Sequence, residues 1–335
     1  SLGSLVSRIN GLGMKFGIWM EPEMVSEDSS LYREHPDWAL KIPGRAMNRS
    51  RHQLNLDITR KEVREHIMNQ IFKVLDACKA DYVKWDMNRS LMDVFSRGTK
   101  DQGRVMYDYV IGLYDFLERI VTRYPDLLIE GCSGGGGRFD AGMMYYTSQI
   151  WCSDNTDALD RLQIQYGTSF GYPISAVGSH VSAVPNHQTG RKTSLHTRGV
   201  CAMAGTFGYE LDPAKMTDEE RREIREQIVE YKKYAQLVQN GLYYRLSNPF
   251  AEEIGAWEFA SEDGKEVLVN VVMLEIHGNM TVNYVKLKGL CAGQFYKDSR
   301  TGKIYPAEAL MEVGIPMPLE FGEYKAYQIY LEMVE

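Results

Sequence analysis

Asp81-Tyr82-Val83-Lys84-Trp85-Asp86-Met87-Asn88-Arg89 is the stretch on which the reading of the fold turns. It opens as a buried strand, predicted over 81–86, and ends in charge. Side chains along a strand alternate, so Lys84, Asp86 and Asn88 share one face and Val83 and Trp85 the other. A cation, a carboxylate and an amide on one face are costly to bury. Two readings stay open on these residues alone. One is a surface ion pair at a strand exit. The other is a carboxylate kept ionised by Lys84, as nucleophilic catalysis requires.

Working outward, the same unit recurs. Short apolar runs predict strands at 15–20, 81–86, 127–132, 148–154, 174–181 and 204–211. Helical periodicity separates them, most clearly over 61–78, 103–123, 157–170, 193–202 and 217–240. Thr217-Asp218-Glu219-Glu220 has the form of a capping box. Alternating strands and helices predict an α/β protein with a parallel sheet. Polar residues gather at the strand exits: Glu21, Asp86, Cys132, Asp154 and His180. That pattern suits the C-terminal rim of a (β/α)8 barrel. Six strands are two short of closure, so the expectation is a TIM-type barrel lacking its first two strands. The connection from about 24 to 59 is long for a structureless loop, and such loops are usually functional. From Tyr243 the pattern turns to period 2, with strands expected at 257–259, 267–272, 280–285, 294–296 and 324–330. This predicts a small antiparallel β-sandwich domain. The expected division is a partial barrel over 1–241 and a β-domain over 242–335.

Composition bounds the partners. The 335 residues are 44% hydrophobic and 25% charged, with a net charge of -7. Nothing in this balance suggests a nucleic acid or an anionic membrane as partner. No apolar run reaches the length of a membrane span. Five cysteines, an odd number without a CxxC pair, read as reduced thiols in a cytoplasmic protein. Seven histidines show no paired metal spacing, so no metal and no cofactor are expected. Ser1-Leu2-Gly3-Ser4 carries neither an initiator Met nor a signal-peptide pattern and reads as the start of a chain cut from something longer.

Two further stretches and two tryptophans carry candidate chemistry. Trp151-Cys152-Ser153-Asp154-Asn155-Thr156-Asp157 places a second carboxylate at a strand exit. Asp154 or Asn155 reads as the N-cap of the next helix, or Asp154, with Asp86, as one of two rim carboxylates. Gly131-Cys132-Ser133-Gly134-Gly135-Gly136-Gly137-Arg138 fits neither phosphate-loop pattern, but its glycines let the backbone approach a ligand closely. Trp19 and Trp151 read either as core residues or as flat surfaces for a sugar ring.

Five motifs occur together and in order. They are Trp19-Met20-Glu21-Pro22-Glu23-Met24, Arg51-His52-Gln53-Leu54-Asn55-Leu56, Lys84-Trp85-Asp86-Met87-Asn88-Arg89, Glu130-Gly131-Cys132-Ser133-Gly134-Gly135-Gly136 and Trp151-Cys152-Ser153-Asp154-Asn155-Thr156-Asp157. In this the chain resembles the bacterial α-galactosidases of glycoside hydrolase family 36. The resemblance implies a retaining exo-α-galactosidase acting on melibiose or raffinose-type oligosaccharides, and a homo-oligomer when full-length. It implies Asp86 as nucleophile and Asp154 as acid/base. It also implies that Trp19, Arg51, Lys84, Trp85, Asn88, Cys132, Gly134 and Trp151 line the galactose pocket. The family's N-terminal β-sandwich, first two barrel strands and Asp-Asp-Gly-Trp motif have no counterpart in these residues. Transglycosylation, α-N-acetylgalactosamine specificity and a non-catalytic sugar-binding or structural fragment remain the alternatives.

Overall fold

The computed structural model describes residues 1–279 and 281–334 and divides into two compact units, Ser1–Trp151 and Cys152–Glu335. In the first unit the strands are β1 (Gly17–Met20), β2 (Met24–Val25), β3 (Leu54–Asn55), β4 (Tyr82–Trp85), β5 (Leu128–Gly131) and β6 (Gln149–Trp151). Strands β1, β4, β5 and β6 run parallel in that order. Their register sets the two faces. Trp19, Lys84, Glu130 and Gln149 lie opposite one another along one row. Val83, Trp85, Ile129 and Ile150 alternate with them and join the apolar core.

Two helices cover the apolar face. Helix Lys61–Cys78 buries Val63, Ile67, Met68, Ile71 and Leu75. Helix Val105–Arg123 buries Leu113, Phe116, Leu117 and Ile120. These spacings of three and four residues make one stripe per helix. The first helix stops at Lys79, whose left-handed backbone (φ 47°) returns its N–H to the Leu75 carbonyl. The connection between β1 and that helix is not structureless. β2 and β3 pair antiparallel within it, and Leu40, Leu54, Leu56 and Ile58 are buried.

In the second unit β7 (Val177–Ser182) and β8 (Thr206–Glu210) are parallel. Helix Asp218–Asn240 starts at the expected capping box, with Thr217 and Glu220 exchanging side-chain and backbone hydrogen bonds. The antiparallel part contains β9 (Leu242–Arg245), β10 (Ile254–Ala260), β11 (Glu266–Met273), β12 (Tyr284–Val285), β13 (Phe295–Asp298), β14 (Ile304–Pro306), β15 (Ile315–Pro316) and β16 (Ala326–Met333). Six of these form one sheet in the order β14-β13-β16-β11-β10-β9, and β12 pairs with β15. Val267, Val269, Val271, Ile329 and Leu331 fill its core.

All six expected parallel strands are present, four in the first unit and two in the second. Most expected strands lose a residue or two at their ends, and two shrink further. The one expected at 148–154 ends at Trp151, and the one at 280–285 shrinks to Tyr284–Val285. Met280 of that segment lies outside the described residues. β2, β3, β9, β14 and β15 were not expected.

Candidate active site

The polar row of the first unit follows from the strand register. Glu130 is only 1% exposed, and its carboxylate pairs with Lys84 Nζ at 3.2 Å. Tyr82 Oη and Gln149 Nε2 also donate to it. Burial, with the Glu130 charge beside it, pushes the Tyr82 phenol well above its ordinary range. The Lys84 ammonium also lies 4.8 Å from the centre of the Trp151 ring, within cation–π reach. The lysine expected to serve Asp86 is thus held in an ion pair with Glu130.

Asp86 sits one residue beyond β4 and is 5% exposed. Its Oδ2 accepts from Trp19 Nε1 at 3.0 Å and from Asn88 Nδ2 at 2.8 Å. Its Oδ1 accepts from the Met87 N–H at 2.8 Å and the Gly134 N–H at 3.2 Å. Burial alone pushes this carboxyl up. Hydrogen bonds from Trp19, Asn88, Gly134 and Cys132 outweigh burial and hold it below the usual carboxylate range. The Cys132 thiol moves the other way. Burial, reinforced by the Asp86 charge, pushes it up to about 12, against the Gly135 N–H and Lys84. Cys132 therefore stays a neutral donor rather than a nucleophile.

The Gly134 N–H reaches Asp86 because the turn after β5 is left-handed. Ser133, Gly134, Gly135 and Gly136 have φ of 59°, 64°, 82° and 90° in succession. Glycine takes such angles without the Cβ penalty. The four-glycine run is therefore a scaffold for a donor to Asp86.

Other residues sort clearly. Trp19 is 51% exposed and presents its ring to solvent while its N–H holds Asp86. Trp151 is buried against Lys84. Arg51 is exposed at the tip of the Ser50–Gln53 bridge, with φ of 53°. Trp85 requires a correction. It is 0% exposed, its N–H goes to Glu23 Oε1 at 2.9 Å, and its ring packs against Phe116. Strand alternation turns it away from the polar face, so it cannot line a pocket there.

Sequence reasoning placed Glu21 at the rim without a role and missed Glu23 and Arg138 as functional candidates. Glu21 Oε1 accepts the Asn88 N–H at 2.8 Å and Oε2 accepts Gln53 Nε2 at 2.7 Å. The only local signal was two acids crowding a strand exit, because their partners lie far away in sequence.

In the second unit Asp154 is exposed on the loop that follows β6. The N-cap of helix Ala158–Thr168 is Asp157, which accepts from the Leu159 and Asp160 N–H groups. The capping role considered for Asp154 or Asn155 therefore belongs to Asp157. Asn155 Nδ2 instead donates to Asp160 at 2.7 Å. The loop is braced by Asn186 Nδ2 on Thr156 Oγ1 at 3.2 Å and Gln188 Nε2 on the Asp154 carbonyl at 3.3 Å. Among the described residues, Glu253, Glu275 and His277 bring possible metal-ligand atoms within 4.8 Å, all on exposed side chains. No helix of the described residues is long and apolar enough to cross a membrane.

Comparison with known proteins now bears on this geometry. The melibiase family model matches residues 1–241, and the glycosyl hydrolase family 36 C-terminal domain model matches residues 254–331. The bifunctional alpha-galactosidase/sucrose kinase AgaSK of Mediterraneibacter gnavus is 60% identical over 98% of this chain and 34% of its own length. The crystal structure of the GH36 alpha-galactosidase AgaA from Geobacillus stearothermophilus matches with a TM-score of 0.97 at 46% identity, covering 100% of this chain and 47% of that one. A variant of AgaA in complex with raffinose matches at the same TM-score of 0.97 and 45% identity, again over 100% of this chain and 47% of that one. The chain thus spans about a third to a half of the length of these relatives. The expected fold, parallel barrel strands followed by an antiparallel β-domain, is the fold of these structures. The chain belongs to the melibiase family and carries the C-terminal domain of glycosyl hydrolase family 36.

Proposed function

We propose that the protein carrying this chain is a retaining, exo-acting α-galactosidase. The observation that carries this reading is Asp86, a nearly buried carboxylate held ionised by converging donors at a parallel-strand exit. Asp154, as acid, protonates the leaving oxygen while Asp86 attacks the anomeric carbon. The C–O bond breaks as the Asp86–carbon bond forms. Asp154 then takes a proton from water as the water oxygen bonds to the anomeric carbon. The Asp86–carbon bond breaks, Asp86 leaves as the carboxylate, and galactose is released with its original configuration. The assignment of Asp154 to this role rests on the family motif together with its exposed carboxylate.

Trp19, Arg51, Lys84, Asn88, Cys132, Gly134 and Trp151 are proposed to line the galactose site. Melibiose and raffinose-type oligosaccharides are the proposed substrates, supported by AgaA variants bound to raffinose and to stachyose. The boundary between catalytic and C-terminal domains is placed at 241/242, supported by the spans of the two family models. A cytoplasmic location is proposed from five free cysteines, and a homo-oligomer from the family resemblance.

The test uses a full-length form and an aryl α-galactoside. Asp86→Gly should abolish turnover, and azide should restore it as the β-galactosyl azide, because azide enters on the nucleophile's face. Asp154→Gly with azide should give the α-azide. Near wild-type turnover by Asp86→Gly would refute the assignment.

A further inference from the structure

The Glu21-Pro22-Glu23 exit of β1 is accounted for by neither the fold nor the proposed chemistry. Glu23 is 0% exposed, which is costly for a carboxylate. Every lone-pair direction is in use. Its Oε1 accepts from Arg138 Nη2 at 2.8 Å and Trp85 Nε1 at 2.9 Å. Its Oε2 accepts from Tyr109 Oη at 3.0 Å and Arg138 Nη1 at 3.2 Å. A buried pair of this kind is weak support for stability, since apolar residues of like volume often serve as well. Its value lies in fixing a geometry.

That geometry is the glycine turn. The remaining donor of the Arg138 fork, Nε, reaches Ser133 Oγ at 2.7 Å. Ser133 is the one side-chain-bearing residue among the four with consecutive positive φ. A turn of Gly134, Gly135 and Gly136 has little preference of its own for one shape. Tethering Ser133 fixes the turn that aims the Gly134 N–H at Asp86 Oδ1. Two residues earlier, Glu21 Oε1 holds the Asn88 backbone at 2.8 Å, and Asn88 Nδ2 serves Asp86 Oδ2. One tripeptide therefore reaches the donors of both oxygens, with Pro22 restricting the backbone between its two acids.

We propose that Glu21 and Glu23, the latter through Arg138 and Ser133, are positioning residues that keep the Asp86 carboxylate oriented and ionised. This rests on the reading of Asp86 as the nucleophile. The chain of contacts runs from Glu23 to Arg138, Ser133, the Gly134 N–H and Asp86. A break at Glu23, Arg138 or Ser133 should loosen the Gly134 donor without touching substrate.

Ser133→Ala is the clean break, since it removes the Arg138 acceptor and leaves the Glu23–Arg138 pair intact. Ser133→Asn is the conservative partner, because Asn tolerates a left-handed backbone and offers an oxygen to Arg138. Both are measured in a full-length form as kcat/KM against pH for an aryl α-galactoside, beside Tm. Ser133→Ala should lose about tenfold on the acid side and move the acidic limb to higher pH, with Tm lowered modestly because the buried Arg138 Nε–H loses its acceptor. Ser133→Asn should recover most of that loss. Glu21→Ala removes the acceptor of the Asn88 N–H together with a charge that itself disfavours ionisation of Asp86. It should therefore lower kcat/KM across the pH range with a smaller shift of the limb, and unchanged kcat/KM there removes Glu21 from the proposal. Glu23→Gln should give the largest effect where it folds, and the decision rests on the Ser133 pair where it does not. A merely structural role would lower Tm and the active fraction while leaving the limb in place, and an unmoved limb in Ser133→Ala overturns the proposal. Asp86→Gly, run alongside, separates the two ideas. Activity retained there sinks the nucleophile reading itself, whereas loss there with a normal Ser133→Ala profile sinks only the positioning chain.

Discussion

Replacing Trp19 by phenylalanine removes one donor from Asp86 and keeps a flat ring in place. The lost contact is the 3.0 Å bond from Nε1 to Oδ2. A hydrogen bond to a charged group is worth about 1.5–3 kcal/mol when buried. Trp19 is 51% exposed, and Asn88 still serves the same oxygen, so a value near the low end, about 1–1.5 kcal/mol, is appropriate. Losing it disfavours the ionised carboxylate, so the Asp86 pKa rises and the acidic limb of kcat/KM moves to higher pH. Below the limb, where rate follows the ionised fraction, the loss should be about five- to tenfold. On the neutral plateau Asp86 is ionised in both forms, and the two rates should converge. The assay is kcat/KM for an aryl α-galactoside across the acidic and neutral range in a full-length form. A loss of equal size at every pH would refute the reasoning. Trp19 would then act only as a sugar platform, and its N–H would contribute nothing to the charge state of Asp86.

Two further perturbations separate structure from chemistry. Lys84→Met leaves the buried Glu130 carboxylate without its cation and should destabilise the fold by about 3 kcal/mol, read as a lower Tm. It should shift the acidic limb less than Trp19→Phe does, because hydrogen bonds chiefly hold Asp86 ionised, and an unchanged Tm would contradict the Glu130 pairing. Glu258 is 0% exposed, and burial pushes its carboxyl to about 7 from 4.5, against the Gly289 and Lys288 N–H groups. The folded state then binds this proton more tightly than the unfolded chain. Its stabilisation is complete below pH 4.5 and is lost as pH rises through about 7, by at most about 3 kcal/mol. Glu258→Gln should flatten denaturant stability across that window, and an unaltered slope would rule out Glu258 as its source.

What the sequence disclosed tracks how local each signal is. The parallel strands were legible because each is a short apolar run bounded by helical periodicity, and β4 was expected at 81–86 against an observed Tyr82–Trp85. The capping box at Thr217 was legible because both partners lie within one turn. Trp85 was placed with the pocket by motif membership, although the alternation of its own strand already turned it toward the core. The Glu130 partner of Lys84 was missed for a related reason. Asp86 is near in sequence, but Glu130 is its register neighbour on the next strand, and no spacing encodes that. Glu23 and Arg138, 115 residues apart, were invisible as a pair. β9 was missed because four residues after a long helix offer too little alternation to count.

The donors around Asp86 have a consequence for how the site comes into being. Trp19 is 67 residues away along the chain and Gly134 is 48 away. Contacts of such sequence separation form late, after the loops between them have closed. Until β1 and β5 have docked on either side of β4, Asp86 is an ordinary carboxylate with an ordinary affinity for protons. Its acidity is therefore acquired only when β1 and β5 close around it, and the titration of this one group reports whether those strands have assembled.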